Sequence, residues 1–202
     1  MRFLETIRAE GGRLFHLEYH RRRMEHTLAA FGIPERFDLE SLLQPPAEGL
    51  IRCRVLYGAE GVAVTYHPYT PRRFVTLQAV VDDTVDYAFK YADRRRLDVL
   101  LEQRGSSEEI VIVKNNRLTD ATIANIALFD GSRWLTPKQP LLHGTTRERL
   151  LEEGKLEEAE ITLDMLPAFE RCALLNAMLG FVEVENGIIP PNQEPLRRDA
   201  RD

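Results

Sequence analysis

Three places in the sequence carry residues whose types and spacing suit covalent or anion-binding chemistry. Lys90 stands between Phe89 and Tyr91 in "DYAFKYADRRRL". A lysine amine becomes a nucleophile when burial or nearby cations lower its pKa, and it can then form a Schiff base with a carbonyl compound. Asp120 closes the strand-like stretch "NRLTD", where an acid at a strand end could hold a cationic ring nitrogen. The stretch "HGTTRERL", residues 143–150, has a glycine that lets the backbone come close and a helix start whose N–H groups suit a phosphate. Thr146 adds a hydroxyl there. Capping by Thr145, with Glu148 three residues on, accounts for the same stretch equally well. Read one at a time, Lys90 and Asp120 are ordinary surface charges.

Other candidates carry less. "HLEYH" sets His16 and His20 four apart, but the glutamate is one place off the zinc-protease pattern and no cysteine lies near, so no metal site is expected. Ser41, Ser106, Ser107 and Ser132 lack the context of a nucleophilic serine. The runs "HRRRM" and "DRRRL" fall at expected helix starts, where positive charge is mildly unfavourable. At least one arginine in each run is then held by an anion or an acidic partner.

These residues need elements to position them. "FLETIRAEGGRLFHL" alternates as two strands around an "EGG" turn. Leu17, Met24, Leu28 and Phe31 share one face of a helix that Gly32 ends. After a short helix at "DLESLL", the stretches "LIRCRVLY", "GVAVTYHPY" and "RRFVTLQAVV" read as a three-strand meander. Residues 82–89 form a connection, which divides the chain into a small α+β domain, 1–85, and a larger α/β-type domain, 86–202. The second part opens with a helix capped by Asp93 and stopped by Gly105. "EEIVIVKNNRLTDA" is strand, turn, strand, and "NIALFDGSRWLTP" is a hairpin whose Asp130-Gly131 suits a type I′ turn. A helix at 145–154, a strand running into a short helix, and strands with a turn at Asn186-Gly187 follow. The segment after Pro190 is a polar tail.

Taken in order, the chemical pieces resemble the class IV (fold type IV) aminotransferase family of pyridoxal-phosphate enzymes. "FLETIRAEGGRLFHLEYHRRRM" is similar to that family's first stretch, "LTDATIANIALF" to its "TEG" region and "LLHGTTRERLLE" to its "GITR" region. The resemblance runs from about residue 3 to residue 185. It implies a two-domain D-amino-acid aminotransferase-like fold, pyridoxal 5′-phosphate as cofactor, and a homodimer with sites near the interface. Carried over by position, Lys90 would hold the cofactor and move a proton, and Asp120 would pair with the ring nitrogen. Arg23, Thr145, Thr146 and Asn176 would hold the phosphate, and Asn125 would support the strand that carries Asp120. Within the family, "LLNAMLGFVEV" and Thr6 in "LETIR" are closer to 4-amino-4-deoxychorismate lyases than to aminotransferases. The activity implied is removal of pyruvate to leave 4-aminobenzoate. The alternatives are transfer of an amino group from a branched-chain or D-amino acid, or a cofactor-binding relative without activity. The chain departs from the family in using aspartate where glutamate is usual, in "ATIA" where the family is glycine-rich, and in starting almost at the first stretch, so that a leading strand and a loop near the site are expected to be missing.

Composition fits a soluble globular protein. The 202 residues carry 44% hydrophobic and 29% charged residues, enough for a sizeable core. A net charge of −5 argues against a nucleic-acid-binding module built on the arginine runs. Two cysteines make no disulfide framework, and no apolar run is long enough to span a membrane, so a cytoplasmic protein is expected.

Overall fold

The structure, a computed structural model, describes residues 1–191; the polar tail expected after Pro190 lies almost entirely outside them. The first sheet is built from β1 (Phe3–Glu10), β2 (Arg13–Leu14), β3 (Leu50–Gly58) and β4 (Gly61–Pro68), all antiparallel in the order β2-β1-β3-β4. Gly11 and Gly12, at φ 57 and 76, make the β1–β2 turn. Between β2 and β3 run α1 (Leu17–Ala30) and α2 (Leu39–Leu42). Helical spacing brings Met24, Thr27 and Leu28 to one side of α1, and alternation brings Phe3, Ile7, Cys53 and Val55 to one side of the sheet. These two faces meet in one core cluster. Each side chain buried there contributes roughly 1.5–3 kcal/mol.

The second sheet holds nine of the strands among the described residues. It starts with β5 (Leu77–Val81), crosses through α3 (Arg95–Leu101), and returns as β6 (Glu109–Lys114), parallel to β5. Next come β7 (Arg117–Ala121), β8 (Asn125–Phe129), β9 (Trp134–Pro137), α4 (Thr145–Glu152) and β10 (Glu157–Ala159). The chain closes with β11 (Arg171–Asn176), β12 (Gly180–Val184) and β13 (Ile188–Ile189). β6 to β9 pair antiparallel in sequence order, β10 lies parallel to β9 and β13 parallel to β5, while β8 also carries β11 and through it β12.

Several sequence expectations are corrected here. "RRFVTLQAVV" does not complete the first meander: only its end is strand, and β5 pairs with β6 and β13 in the second sheet. The change of sheet therefore falls between β4 and β5, ahead of the expected division at 85/86. α3 begins at Arg95 with Arg94 as its cap residue, and the Asp93 carboxylate accepts from the Arg95 N–H one step outside. The two left-handed residues of a type I′ turn are Asn115 and Asn116, between β6 and β7. The Asp130-Gly131 hairpin instead has a four-residue loop, folded by the Asp130 carboxylate accepting from the N–H groups of Ser132 and Arg133. Asn186-Gly187 does turn the chain, but it leads to β13 on the far edge of the sheet, not back along β12.

Candidate active site

Between the two sheets lies a cleft of about 640 Å³, and every residue singled out for chemistry lines it: Thr6, Arg23, Lys90, Asp120, Asn125, Thr145, Thr146 and Asn176. Their elements differ. Thr6 lies on β1, Arg23 on α1, Asp120 on β7, Asn125 on β8, the two threonines on α4 and Asn176 at the end of β11.

Lys90 is placed by its neighbours. Phe89 and Tyr91 point away from the cleft and join Phe3 and Phe31, with ring centroids 4.9 Å apart for Phe31–Phe89 and 5.6 Å for Phe3–Tyr91. The Leu4 N–H donates to the Lys90 carbonyl at 2.9 Å, and Ala92 N–H to Arg2 O at 2.9 Å. This short pairing with β1 clamps the backbone so that Lys90, between its two neighbours, faces the cleft. Among the described residues no hydrogen bond or ion pair holds its Nζ. Burial, and then the Arg23 charge, pull its pKa down to about 8. The amine is thus easier to deprotonate than an ordinary lysine.

Asp120 is 4% exposed and sits opposite Asn125 across β7–β8. Its Oδ1 accepts from Asn125 Nδ2 at 2.7 Å and its Oδ2 from the Leu142 N–H at 2.8 Å. Burial pushes its pKa up to about 6, the hydrogen bonds from Leu142 and Asn125 opposing part of the rise. A cationic donor placed beside it would restore the charged form. Asn125 also donates from Nδ2 to Leu142 O at 2.8 Å, so one amide ties β8 to the loop ahead of α4.

That loop leads into a helix start that could receive an anion. The expected cap is corrected: Gly144, not Thr145, is the cap residue of α4, and no side chain bonds to the first turn. Glu148 does not form a capping box; its N–H continues the helix by donating to Gly144 O at 2.9 Å. The early N–H groups are thereby left for a ligand, in a helix of 8 residues whose dipole favours negative charge. A Cβ on Gly144 would lie 1.9 Å from Asn125 Oδ1, so only glycine lets the helix start sit against Asn125.

Arg23 reaches the cleft from α1, gripped by Glu5: Nε to Oε1 is 2.9 Å and Nη2 to Oε2 is 2.6 Å. His20 Nδ1 lies 2.7 Å from the same Oε2. Glu5 and His20 are 0% and 1% exposed. Burial would raise the Glu5 pKa, but Arg23 and the His20 hydrogen bond outweigh it and hold it at about 2. Burial keeps His20 below its ordinary value. Sequence reasoning passed over Glu5. The signal was there, because alternation in "FLETIR" sets Glu5 on the same side as Phe3 and Ile7. A charge on an apolar face needs a partner.

Asn176, expected at the phosphate, lines the cleft and has contacts of its own. Its Nδ2 donates to Ile123 O at 3.1 Å, and its Oδ1 accepts from the N–H groups of Met178 and Leu179 at 3.0 and 2.8 Å. The amide shapes two loops of the cleft floor. Of the arginine run, Arg94 donates to Thr122 O at 3.1 Å and lines the cleft, while Arg95 pairs with Asp93 and Arg96 with Asp82 outside it.

The Glu5 network gives a stability prediction. A folded pKa of about 2 against an ordinary 4.5 means that Glu5 stabilises the fold above pH 4.5, and that this contribution fades as pH falls towards 2. His20, held below its ordinary value, adds a loss in the same direction as pH falls through that value. Glu5→Gln strands Arg23 and is expected to cost about 3 kcal/mol at pH 7. It should also flatten the acid limb, as urea unfolding against pH would show. A variant with the wild-type pH dependence would remove Glu5 from this role.

No helix among the described residues is long and apolar enough to cross a membrane. Residues 85–186 match the model of a family described as amino-transferase class IV. The chain is 38% identical over 182 residues to an uncharacterized protein of Haemophilus influenzae, covering 87% of this chain and 97% of that one. A solved structure from Haemophilus somnus, called "putative 4-amino-4-deoxychorismate lyase", is 35% identical, with TM-score 0.83, over 89% of this chain and 97% of that one. A hypothetical aminotransferase from Mycobacterium tuberculosis in its PLP-bound form shares the fold at 17% identity, with TM-score 0.77, over 92% of this chain and 80% of that one.

Proposed function

The chain belongs to the class IV aminotransferase family, with its fold type IV architecture, and from that premise we propose that it is a pyridoxal-phosphate-dependent lyase. The substrate in this reading is 4-amino-4-deoxychorismate, and the products are pyruvate and 4-aminobenzoate. The observation that carries the reading is Lys90: a cleft-facing amine without a partner among the described residues, its pKa drawn down to about 8. The other parts suit the same cofactor. Asp120 offers a buried carboxylate to a ring N–H. The α4 start, with the Thr146 hydroxyl, offers donors to a phosphate, and Arg23, fixed by Glu5, adds a charge beside them. The bare Gly144 cap and its close fit on Asn125 describe a cradle for such a group.

Pyridoxal phosphate, when bound, supplies an electron sink for the carbon that bears the substrate amine. The protein's own steps follow from position. Lys90 Nζ would hold the group by its aldehyde carbon, and the same amine, once free, would take the proton from the amine-bearing carbon of the substrate. Asp120 would pair with the ring nitrogen and hold its proton. The cleft walls at Leu4, Leu97 and Leu142 limit the water that reaches the reacting carbon. The lyase is preferred to the aminotransferase because "LLNAMLGFVEV" and Thr6 are lyase-like and Thr6 lines the cleft.

The test is product analysis. Protein supplied with pyridoxal phosphate and 4-amino-4-deoxychorismate is expected to release pyruvate and 4-aminobenzoate in equal amounts. In a parallel sample given an amino acid and a 2-oxo acid, a new amino acid formed, with no pyruvate released in the first sample, would assign transamination instead.

A further inference from the structure

The cleft is lopsided in charge. Arg23, Arg52, Arg54, Arg72, Lys90 and Arg94 line it, and Asp120 is the acid among the lining residues. Most of these cations are accounted for. Arg23 is bound by Glu5, Arg94 donates to Thr122 O, and Arg72 lies 5.6 Å over the Phe74 ring. Lys90 is the reactive amine of the proposed chemistry. Arg52 and Arg54 remain, and neither has a hydrogen bond or ion pair among the described residues.

The sheet explains why these two stand together. In "LIRCRVLYG", Ile51, Cys53 and Val55 face the α1 core, so Arg52 and Arg54 face the other way. The register sets Arg54 opposite Thr6 and Arg52 opposite Arg8. Arg8 is already used, its Nη1 on Met178 O at 3.2 Å and its Nη2 on Glu10 at 2.6 Å. Two same-face residues on one strand lie about 7 Å apart. That spacing presents two guanidinium groups to one end of a small ligand. Like charges side by side on a strand are unfavourable without a counter-charge.

We infer that Arg52 and Arg54 form a carboxylate-binding subsite on the β3 wall, which selects a substrate carrying a carboxylate remote from the amine that meets Lys90. This deepens, and rests on, the reading of the cleft as a lyase site. A planar guanidinium matches a carboxylate with two parallel hydrogen bonds, and the phosphate-type anion already has its place at α4.

The test compares two probes of similar shape, one with a carboxylate and one with a neutral amide in its place, 4-aminobenzoate and 4-aminobenzamide. Their affinities are measured by calorimetry on the full chain incubated with pyridoxal phosphate. Wild type is expected to bind the acid about ten-fold or more tightly than the amide, a ratio set by charge-assisted hydrogen bonds. In Arg52→Gln/Arg54→Gln the ratio should fall to about two or less, because the charge is gone. Should that variant not fold, rising salt on wild type is the second measure: the acid weakens and the amide does not. Equal affinities in wild type, a preference that survives in the variant, or a preference indifferent to salt would overturn the subsite. Cofactor uptake, followed by absorbance, separates the two ideas. Uptake without the carboxylate preference overturns the subsite and leaves the lyase reading standing. The preference without uptake supports the subsite and removes the lyase reading.

Discussion

Lys90→Met is expected to lower turnover by about 10⁴-fold or more, since it removes both the bond to the cofactor and the proton carrier. The thermal midpoint should stay level or rise. Methionine keeps most of the side chain's length and apolar body, and the amine it replaces has no partner among the described residues to lose. Burial holds the Lys90 pKa at about 8, so the charged form is disfavoured in the fold, and removing it relieves a cost. The backbone clamp survives, because it uses the Lys90 carbonyl and not the side chain. Activity and stability therefore move in opposite directions, as they do where a site is held at the fold's expense. A variant that melts earlier but keeps measurable turnover would show Lys90 to be structural.

Gly144→Ala is expected to weaken cofactor binding by at least about ten-fold and to cost about 1–3 kcal/mol in stability, the range for an overpacked site. The backbone angles are not the reason: Gly144, at φ −79 and ψ 141, is in a conformation any residue adopts. The reason is contact. The added Cβ would sit 1.9 Å from Asn125 Oδ1, and Asn125 holds both Asp120 and the Leu142 carbonyl. Either Asn125 leaves Asp120 or the α4 start backs out of the cleft. Both changes separate the buried acid from the anion site. Asn125→Ala in the same chain restores the room and should recover most of the stability, without recovering the affinity. That pattern is a coupling between neighbours, read from a double-mutant cycle of cofactor titrations and urea melts. Purely additive effects would mean that the close approach carries no function.

Much of this arrangement was legible in the residues, and the gaps have physical causes. Alternation and helical spacing revealed β1 and α1, because each buries one face in the first core and leaves the other more open. The same alternation marked "TLQAVV" as strand without telling which sheet it joins. Its partner β6 is parallel and comes only after the α3 crossover, a pairing that no local pattern encodes. On sequence grounds Thr145 caps α4, whereas Gly144 holds that place in the structure. The choice follows from a tertiary fact, the fit of Gly144 against Asn125 on β8. Lys90 and Asp120 looked like surface charges singly and drew notice only through their order along the chain. Glu5, Arg52 and Arg54 could have been read from alternation. Which face of the first sheet fronts the cleft, however, depends on how it meets the second. Asn176 was assigned to a ligand by resemblance, whereas its amide is occupied with Ile123, Met178 and Leu179.

In the proposed function, Lys90 is an amine kept for covalent attachment of pyridoxal phosphate. The most direct measurement is uptake of the cofactor across pH, followed by borohydride reduction and peptide mass spectrometry. The protein is predicted to turn yellow and, after reduction, to carry one cofactor per chain on the peptide containing Lys90. The rate of uptake should rise with pH and level off above about 8, where Nζ is neutral, and not near the ordinary lysine value of 10.5. A colourless protein, or label scattered over other lysines with Lys90 untouched, would contradict the account.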